Sequence, residues 1–293
     1  MARSKVAARK AMAMRGRRGA SGRPEIVKPA KRVRPGKKDP DAPVKPQRTI
    51  ENARVFDSTL VAGQDPEVVE DERTDELQWC FDRSKAPYVL ITTDHKPHTA
   101  SLQVAEELCV SIPNAEFFPR KSDDIKKMVP KAIERGYTCI LIINEDHKMP
   151  NSLTVCHLPV GPTAVFKLTS FKMSKAIRGH GRRSHHRPEV ILNRFSTRLG
   201  HQAGRILGAV FSLDPEFKGR SVVTWHNQRD FIFFRHHRYI FKNKQKVGLQ
   251  ELGPRFTLKL RSIQRGTFDS KFGDYEWMLK RHQMETSRTK FFL

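Results

Sequence analysis

Cysteine is sparse in this chain. Its four residues, Cys80, Cys109, Cys139 and Cys156, are scattered without CxxC spacing. Zinc sites and dithiol redox centres need cysteines paired a few residues apart, so neither is expected. Isolated thiols are instead expected to be reduced and packed in a core. Long apolar runs are missing too. The longest, Cys139 to Ile143, falls far short of the roughly 20 residues a bilayer-crossing helix needs. The first twenty residues contain no apolar h-region, so no secretory signal is expected. Catalytic signatures are equally scarce: GxxxxGK[ST], GxSxG, HExxH and the HxE with PCxxC deaminase pattern do not occur. Gly179 to Ser184 (GHGRRS) lacks the spacing and the lysine of a phosphate loop.

Acid is the other shortage. Fifty-five Lys and Arg face 31 Asp and Glu across 293 residues, a net charge of +24, so the expected partners are polyanions, nucleic acid before anionic membrane. The imbalance is uneven. Residues 1–48 hold 16 Lys or Arg against Glu25, Asp39 and Asp41, with six prolines. This composition reads as a disordered basic arm, and Lys28 to Lys38 (KPAKRVRPGKK) suits nuclear import, nucleic-acid contact or both; a mitochondrial presequence is the rival reading of the arm, whose first acid is Glu25. From Thr49 to Gln78 the sign reverses, nine acids against Arg54 and Arg73. Residues 49–85 therefore read as an acidic linker, either solvated or folded back over basic surface.

The folded part is expected over 86–270, with a tail over 271–293. Tyr88 to Thr92 reads as a buried strand, and His98 to Val110 as a helix. A short strand at Ala115 to Phe118, a second helix from Ser122 to Gly136 with Pro130 inside it, and the apolar strand Tyr137 to Ile143 complete a β-α-β-α-β order. That order predicts a mostly parallel, layered α/β unit. Leu153 to Leu158 and Thr163 to Leu168 add strands. Lys167 to Arg187, with seven Lys or Arg, three His and no acid, reads as a mobile basic loop. A second unit then starts like the first: strand Pro188 to Phe195, helix Ser196 to Phe211, a hairpin of Ser221 to Trp225 with Phe231 to Arg235, and more strand at Tyr239 to Phe241. Halves of about 86–168 and 188–268 suggest an internal duplication.

Between Arg255 and Arg261 the sequence alternates strictly. Phe256, Leu258 and Leu260 are apolar; Arg255, Thr257, Lys259 and Arg261 are polar or cationic. A strand has a side-chain period of two, so one face packs and the other presents a cationic ridge. Lys242, Lys244 and Lys246 precede it and Arg265 follows. The ridge suits a phosphate backbone; the same pattern also fits an edge strand whose charges discourage pairing.

Other candidates leave two readings each. Asn144 to His147 (NEDH) follows an apolar strand, where α/β proteins often place active residues, and is either an acid/base or metal site or a polar turn. The pairs His185/His186 and His236/His237 either bind a metal or contact phosphates, although neighbours on a strand point to opposite faces. Trp225, Phe231, Phe233 and Tyr239 either stack on bases or pack in the core.

Longer runs carry a resemblance. PEVILNRFSTRLGHQAGRI at 188–206, WHNQRDFIFFRHHRYIF at 225–241 and VGLQELGPRFTLKLRSIQRGTFDSKFGDYEW at 247–277 resemble the Brix-domain family of ribosome biogenesis factors. LITT at 90–93, INEDHKMPN at 143–151 and the final TSRTKFFL extend the likeness. The resemblance implies an α/β (α+β) domain of two similar halves, each akin to the anticodon-binding domain of class II aminoacyl-tRNA synthetases. It further implies a non-enzymatic nuclear, nucleolar protein without cofactor or metal. Such a protein binds precursor large-subunit ribosomal RNA in pre-60S particles, beside other assembly factors and an obligate protein partner, with no membrane contact. In the family, the segment matching residues 245–262 is RNA-binding. The basic arm departs from the family, being shorter and richer in proline. The expected RNA contacts are Lys242, Lys244, Lys246, Arg255, Lys259, Arg261 and Arg265, with Arg182 and Arg183 from the basic loop. Two alternatives remain: a protein scaffold touching RNA only through its arm, and an RNA-modifying enzyme using the NEDH loop.

Overall fold

The computed structural model describes residues 47–293 except 62–64, 122, 244–245, 270–271, 281, 283, 285–286 and 288. The basic arm, the Ser122 helix start and Lys244 lie outside the described residues. Helices are α1 (Pro66–Thr74), α2 (Gln78–Phe81), α3 (Thr99–Ser111), α4 (Ile125–Glu134) and α5 (Arg198–Gly208). Strands of the first half are β1 (Val89–Thr93), β2 (Ala115–Phe117), β3 (Cys139–Asp146), β4 (Met149–His157) and β5 (Thr163–Lys172). The remainder are β6 (Glu189–Asn193), β7 (Ser221–Gln228), β8 (Phe231–Asn243), β9 (Lys246–Glu251), β10 (Arg255–Gln264) and β11 (Tyr275–Met278).

All eleven strands join one sheet in the order β2-β1-β3-β4-β5-β10-β8-β7-β6, with β11 on β10 and β9 on β8. Apart from β2 at one edge, the order is a palindrome about the β5–β10 seam. In each half a parallel pair (β1 with β3, β6 with β7) is followed by two antiparallel steps. This is the geometry of the suspected duplication. The β-α-β-α-β unit is parallel as expected, β1 pairing in parallel with both β2 and β3, whereas the other described pairings of the sheet are antiparallel except β6–β7. Beyond each crossover the chain continues through hairpins, and a short hairpin connection joins only antiparallel strands.

Strand alternation builds two cores. Cys139, Leu141 and Ile143 of β3 face the main core, which also holds Val104 and Leu108 of α3, Ala203, Ile206 and Leu207 of α5, and Phe234, Phe256, Leu258 and Leu260. Ile140 and Ile142 face the other way, onto Met128, Val129 and Ala132 of α4. Gly136, at φ +81, ends that helix in the left-handed region, which glycine adopts without a Cβ clash. Gly204 and Gly208 let α5 lie close to Phe195 and Leu192; a Cβ at either would stand 3.4 Å from their side chains.

The acidic stretch is more than a linker. Leu77 and Cys80 are buried in the main core. Arg205 of α5 lies 3.9 Å over the Phe81 ring and pairs with Asp75 at 2.6 Å, while His201 meets Glu72 at 2.9 Å. Residues 66–81 thus cover the outer side of α5, because its basic face complements their charge. The C-terminal segment also docks: β11 pairs with β10, and Leu293 is buried against α5.

Candidate nucleic-acid interface

The two halves differ on the side of the sheet away from the main core. In the first half α4 covers that side over β1, β3 and β4. In the second half only residues 209–220, with a single 3-10 turn at Phe217–Gly219, stand between α5 and β7. Among the described residues no helix covers that side of β5, β10, β8, β7 and β6.

Register arranges this open face in three rows. One row runs Ser152, Lys167, Lys259, Phe231 and Gln228 across β4, β5, β10, β8 and β7. The next, from β5 to β6, is Thr169, Thr257, Phe233, His226 and Asn193. The third pairs Lys172 with Arg255 across the seam and continues from Arg235 through Thr224 to Ile191. β10 is therefore no edge strand. It is the centre of the sheet, and its cationic ridge lies on the face that the second half leaves bare.

The charges on this face crowd one another. Lys167 and Lys259 are direct cross-strand neighbours, an arrangement that destabilises an isolated sheet. The Lys259 ammonium lies 4.9 Å over the Phe231 ring, which is 41% exposed. Arg255 is held by Glu251, with both hydrogen bonds at 2.5 Å. Burial of Glu251 opposes its ionisation, yet the Arg255 hydrogen bonds and nearby cations outweigh it and keep its pKa below the usual range. Burial pushes the His237 and His226 pKa values down, so both imidazoles are neutral near pH 7.

The other expected RNA contacts do not share one spot. Lys242 and Lys246 are exposed on the far stretch of β8 and β9. Arg261 sits at the register shift between Leu260 and Ser262. Arg265 lies at the opposite end of β10, paired with Glu276 at 2.8 Å. Arg182 is exposed, its carbonyl accepting from Arg238 Nη2 at 3.0 Å. Arg183 turns inward: its side chain is 10% exposed, ion-paired with Glu107, and also donates to the Glu107 carbonyl at 3.0 Å. Burial pulls its pKa down to about 10, which leaves it charged and committed to Glu107. The 167–187 stretch is correspondingly no free loop. Lys167 to Lys172 belong to β5, and Gly181 N–H donates to the Glu251 carbonyl at 2.8 Å.

The NEDH segment has a structural role. Glu145 accepts from His98 Nδ1 at 2.6 Å, His98 N–H at 2.9 Å and Ser101 Oγ at 2.7 Å, tying down the start of α3. The His98 ring and then its main chain hold the Glu145 carboxyl down at about 2. Asp146 and His147 lie exposed in the β3–β4 turn. Of the aromatic candidates, Trp225 is buried beside Phe234, whereas Phe231, Phe233 and Tyr239 alternate onto the open side. His236 is buried and His237 faces out.

The Brix domain profile matches residues 95–262. The chain belongs to the Brix-domain family. Ribosome production factor 1 of Danio rerio is 55% identical over 247 residues, 84% of this chain and 75% of the relative. The Xenopus laevis protein of that name is 52% identical over 259 residues, 88% of this chain and 75% of its own length. A crystal structure described as a probable ribosomal biogenesis protein from Aeropyrum pernix K1 aligns with 66% of this chain and 99% of its own, at TM-score 0.47 and 17% identity. The profile spans both halves of the palindrome, so the seam and its ridge lie inside the Brix domain.

Lys167, Lys172 and Arg235 are cationic side chains of this face that sequence reasoning left unassigned. Their signal was present as alternation: Lys167 and Thr169 flank Leu168, and Phe233 and Arg235 flank Phe234, as Lys259 and Arg261 flank Leu260.

Proposed function

We propose that this chain is a non-enzymatic ribosome biogenesis factor that grips precursor ribosomal RNA on the open face around the β5–β10 seam. The cross-strand pair Lys167 and Lys259 carries this reading. Two like charges in direct register weaken the free protein, and a phosphate bridging them turns that cost into binding. Arg255, Lys172 and Arg235 extend the site, and Phe231 and Phe233 add flat apolar surface between the charges. Such a face reads backbone and shape more than base identity. Relatives named ribosome production factor 1 support assignment to ribosome assembly. The family resemblance supports the finer reading: large-subunit precursor particles in the nucleolus, with a protein partner at hand.

The test replaces Lys167 and Lys259 together by Glu. Affinity for a precursor ribosomal RNA fragment falls at least about tenfold, while the denaturation midpoint changes little because one like-charge pair replaces another. Unchanged affinity overturns the assignment. If about six phosphates are neutralised, the wild-type log affinity falls against log salt with a slope of about −4 to −5.

A further inference from the structure

Beyond Tyr239 the sheet narrows to two strands. β7 reaches no further along β8 than the Ser221–Arg238 pair, and β8 continues with β9 alone through Tyr239–Leu249, Ile240–Gly248 and Phe241–Val247. Cross-strand partners share a face, so Tyr239, Phe241, Val247 and Leu249 form one apolar side of this ribbon. Phe241 is 70% exposed and Leu249 66%. The opposite side carries Lys242, Ile240, Gly248 and Lys246, and a Cβ on Gly248 would stand 3.1 Å from both Ile240 and Lys242.

The outer edge of β9 is open as well. Tyr239 N–H donates to the Arg220 carbonyl, on the β7 side, and the His236 carbonyl accepts from Leu252. Even-numbered residues of β8 therefore face β9, which engages Gly248 and Gln250 and turns the main-chain groups of Val247 and Leu249 outward. The neighbouring Glu251 carbonyl is taken by Gly181 N–H. No further main-chain hydrogen bond from the described residues reaches that edge.

We infer that the ribbon docks a protein segment of alternating apolar and acidic residues, added as a strand to β9, an inference that rests on the reading of this chain as an assembly factor working beside other proteins. The added strand would place its apolar side chains beside Phe241 and Leu249 and its acids beside Lys242 and Lys246. Other occupants fit less well. The side chains of Val247 and Leu249, which line the outer edge, offer RNA neither a charge nor a ring. A second copy would set the same lysines against each other on a chain of +24. The chain's own 1–48 arm is strongly basic, and its acidic stretch is committed elsewhere, Asp75 to Arg205 and Glu51 to Arg194.

The full chain is expressed in cells with the photoreactive residue p-benzoylphenylalanine at position 249. The expected adduct is a protein segment in which apolar and acidic residues alternate. An adduct on RNA or a second copy, a segment without that alternation, or no adduct overturns the proposal. Val247→Pro removes an outward N–H and no bond to β8; Leu249→Asp leaves the backbone untouched. Each lowers recovery of the crosslinked protein about tenfold and leaves RNA affinity within about twofold. An equal loss of RNA affinity overturns the proposal. The Lys167→Glu/Lys259→Glu protein is expected to show the opposite profile, so failure of the RNA reading and failure of the ribbon are told apart.

Discussion

The two halves of the sheet share the order of four strands and differ by one helix and the edge strand β2. Over β1, β3 and β4, α4 seals the side away from the main core, and β3 there carries Ile140 and Ile142. Among the described residues the counterpart strands β6, β7 and β8 have no such helix, and that side carries Ile191, Thr224, His226, Phe233 and Arg235, continuing onto Lys259 and Arg255 of the seam strand β10. One duplicated plan has thus kept a structural side in one half and freed it in the other. A sheet side that loses its helix must become polar, and a polar side at the centre of a sheet is a rigid platform.

The sharpest way to break this comparison is on one strand. Phe234→Ala, on the main-core side of β8, is expected to cost about 3–5 kcal/mol in chemical denaturation. Phe233→Ala, one residue away on the open side, is expected to cost within about 1 kcal/mol while weakening RNA binding. Equal costs would mean that both sides are packed.

A second measurement asks how the halves are held together. His157 of β4 donates from Nε2 to the Ile206 carbonyl of α5 at 2.9 Å, and burial pushes its pKa down to about 4. Its Nδ1 is buried without a partner, so a second proton there has no acceptor. The folded pKa is the lower one. Stability is accordingly intact above about pH 6.5 and is lost as pH falls toward 4. His157→Gln, which keeps an N–H donor but does not titrate, is expected to flatten part of that slope in melting curves. His236, also driven down to about 4 by burial, retains its share.

The smallest expected effects lie on the open side. Lys167→Glu relieves the clash with Lys259 and is expected to raise stability by about 0.2–1 kcal/mol while lowering RNA affinity. Two observables moving in opposite directions separate a binding surface from a packing surface. Lys259→Ala is expected to reduce the magnitude of the salt slope by about 0.7–0.9, read from filter binding at several salt concentrations.

Much of this was legible in the sequence, for identifiable reasons. The strands and crossovers of the first half follow from unbroken apolar runs such as Cys139–Ile143, and the alternation of Phe256, Leu258 and Leu260 correctly put one side of β10 in the core. The same alternation could not distinguish an edge strand from a seam strand, because period two reports which side packs and says nothing of lateral neighbours. Arg183 was read with Arg182 as a surface charge. Its burial depends on Glu107, 76 residues away, and no local pattern encodes that. The acidic 66–81 stretch looked like a linker because few apolar residues, Val68, Leu77 and Cys80 among them, fasten it; the rest of its attachment is charge against α5. β9 and β11 are short, and each is ordered by the longer strand beside it.

The seam has a consequence in time. Val165 pairs with Ser262, so β5 meets its mate only after about a hundred further residues have been made. At synthesis rates of about 5–20 residues per second, its free edge waits for roughly 5–20 s after the strand itself exists. Throughout that interval the first half is a nascent sheet with an unprotected side, open to pairing with the wrong strand. The lysines of β5, Lys167 and Lys172, are already in place during that interval to discourage such pairing.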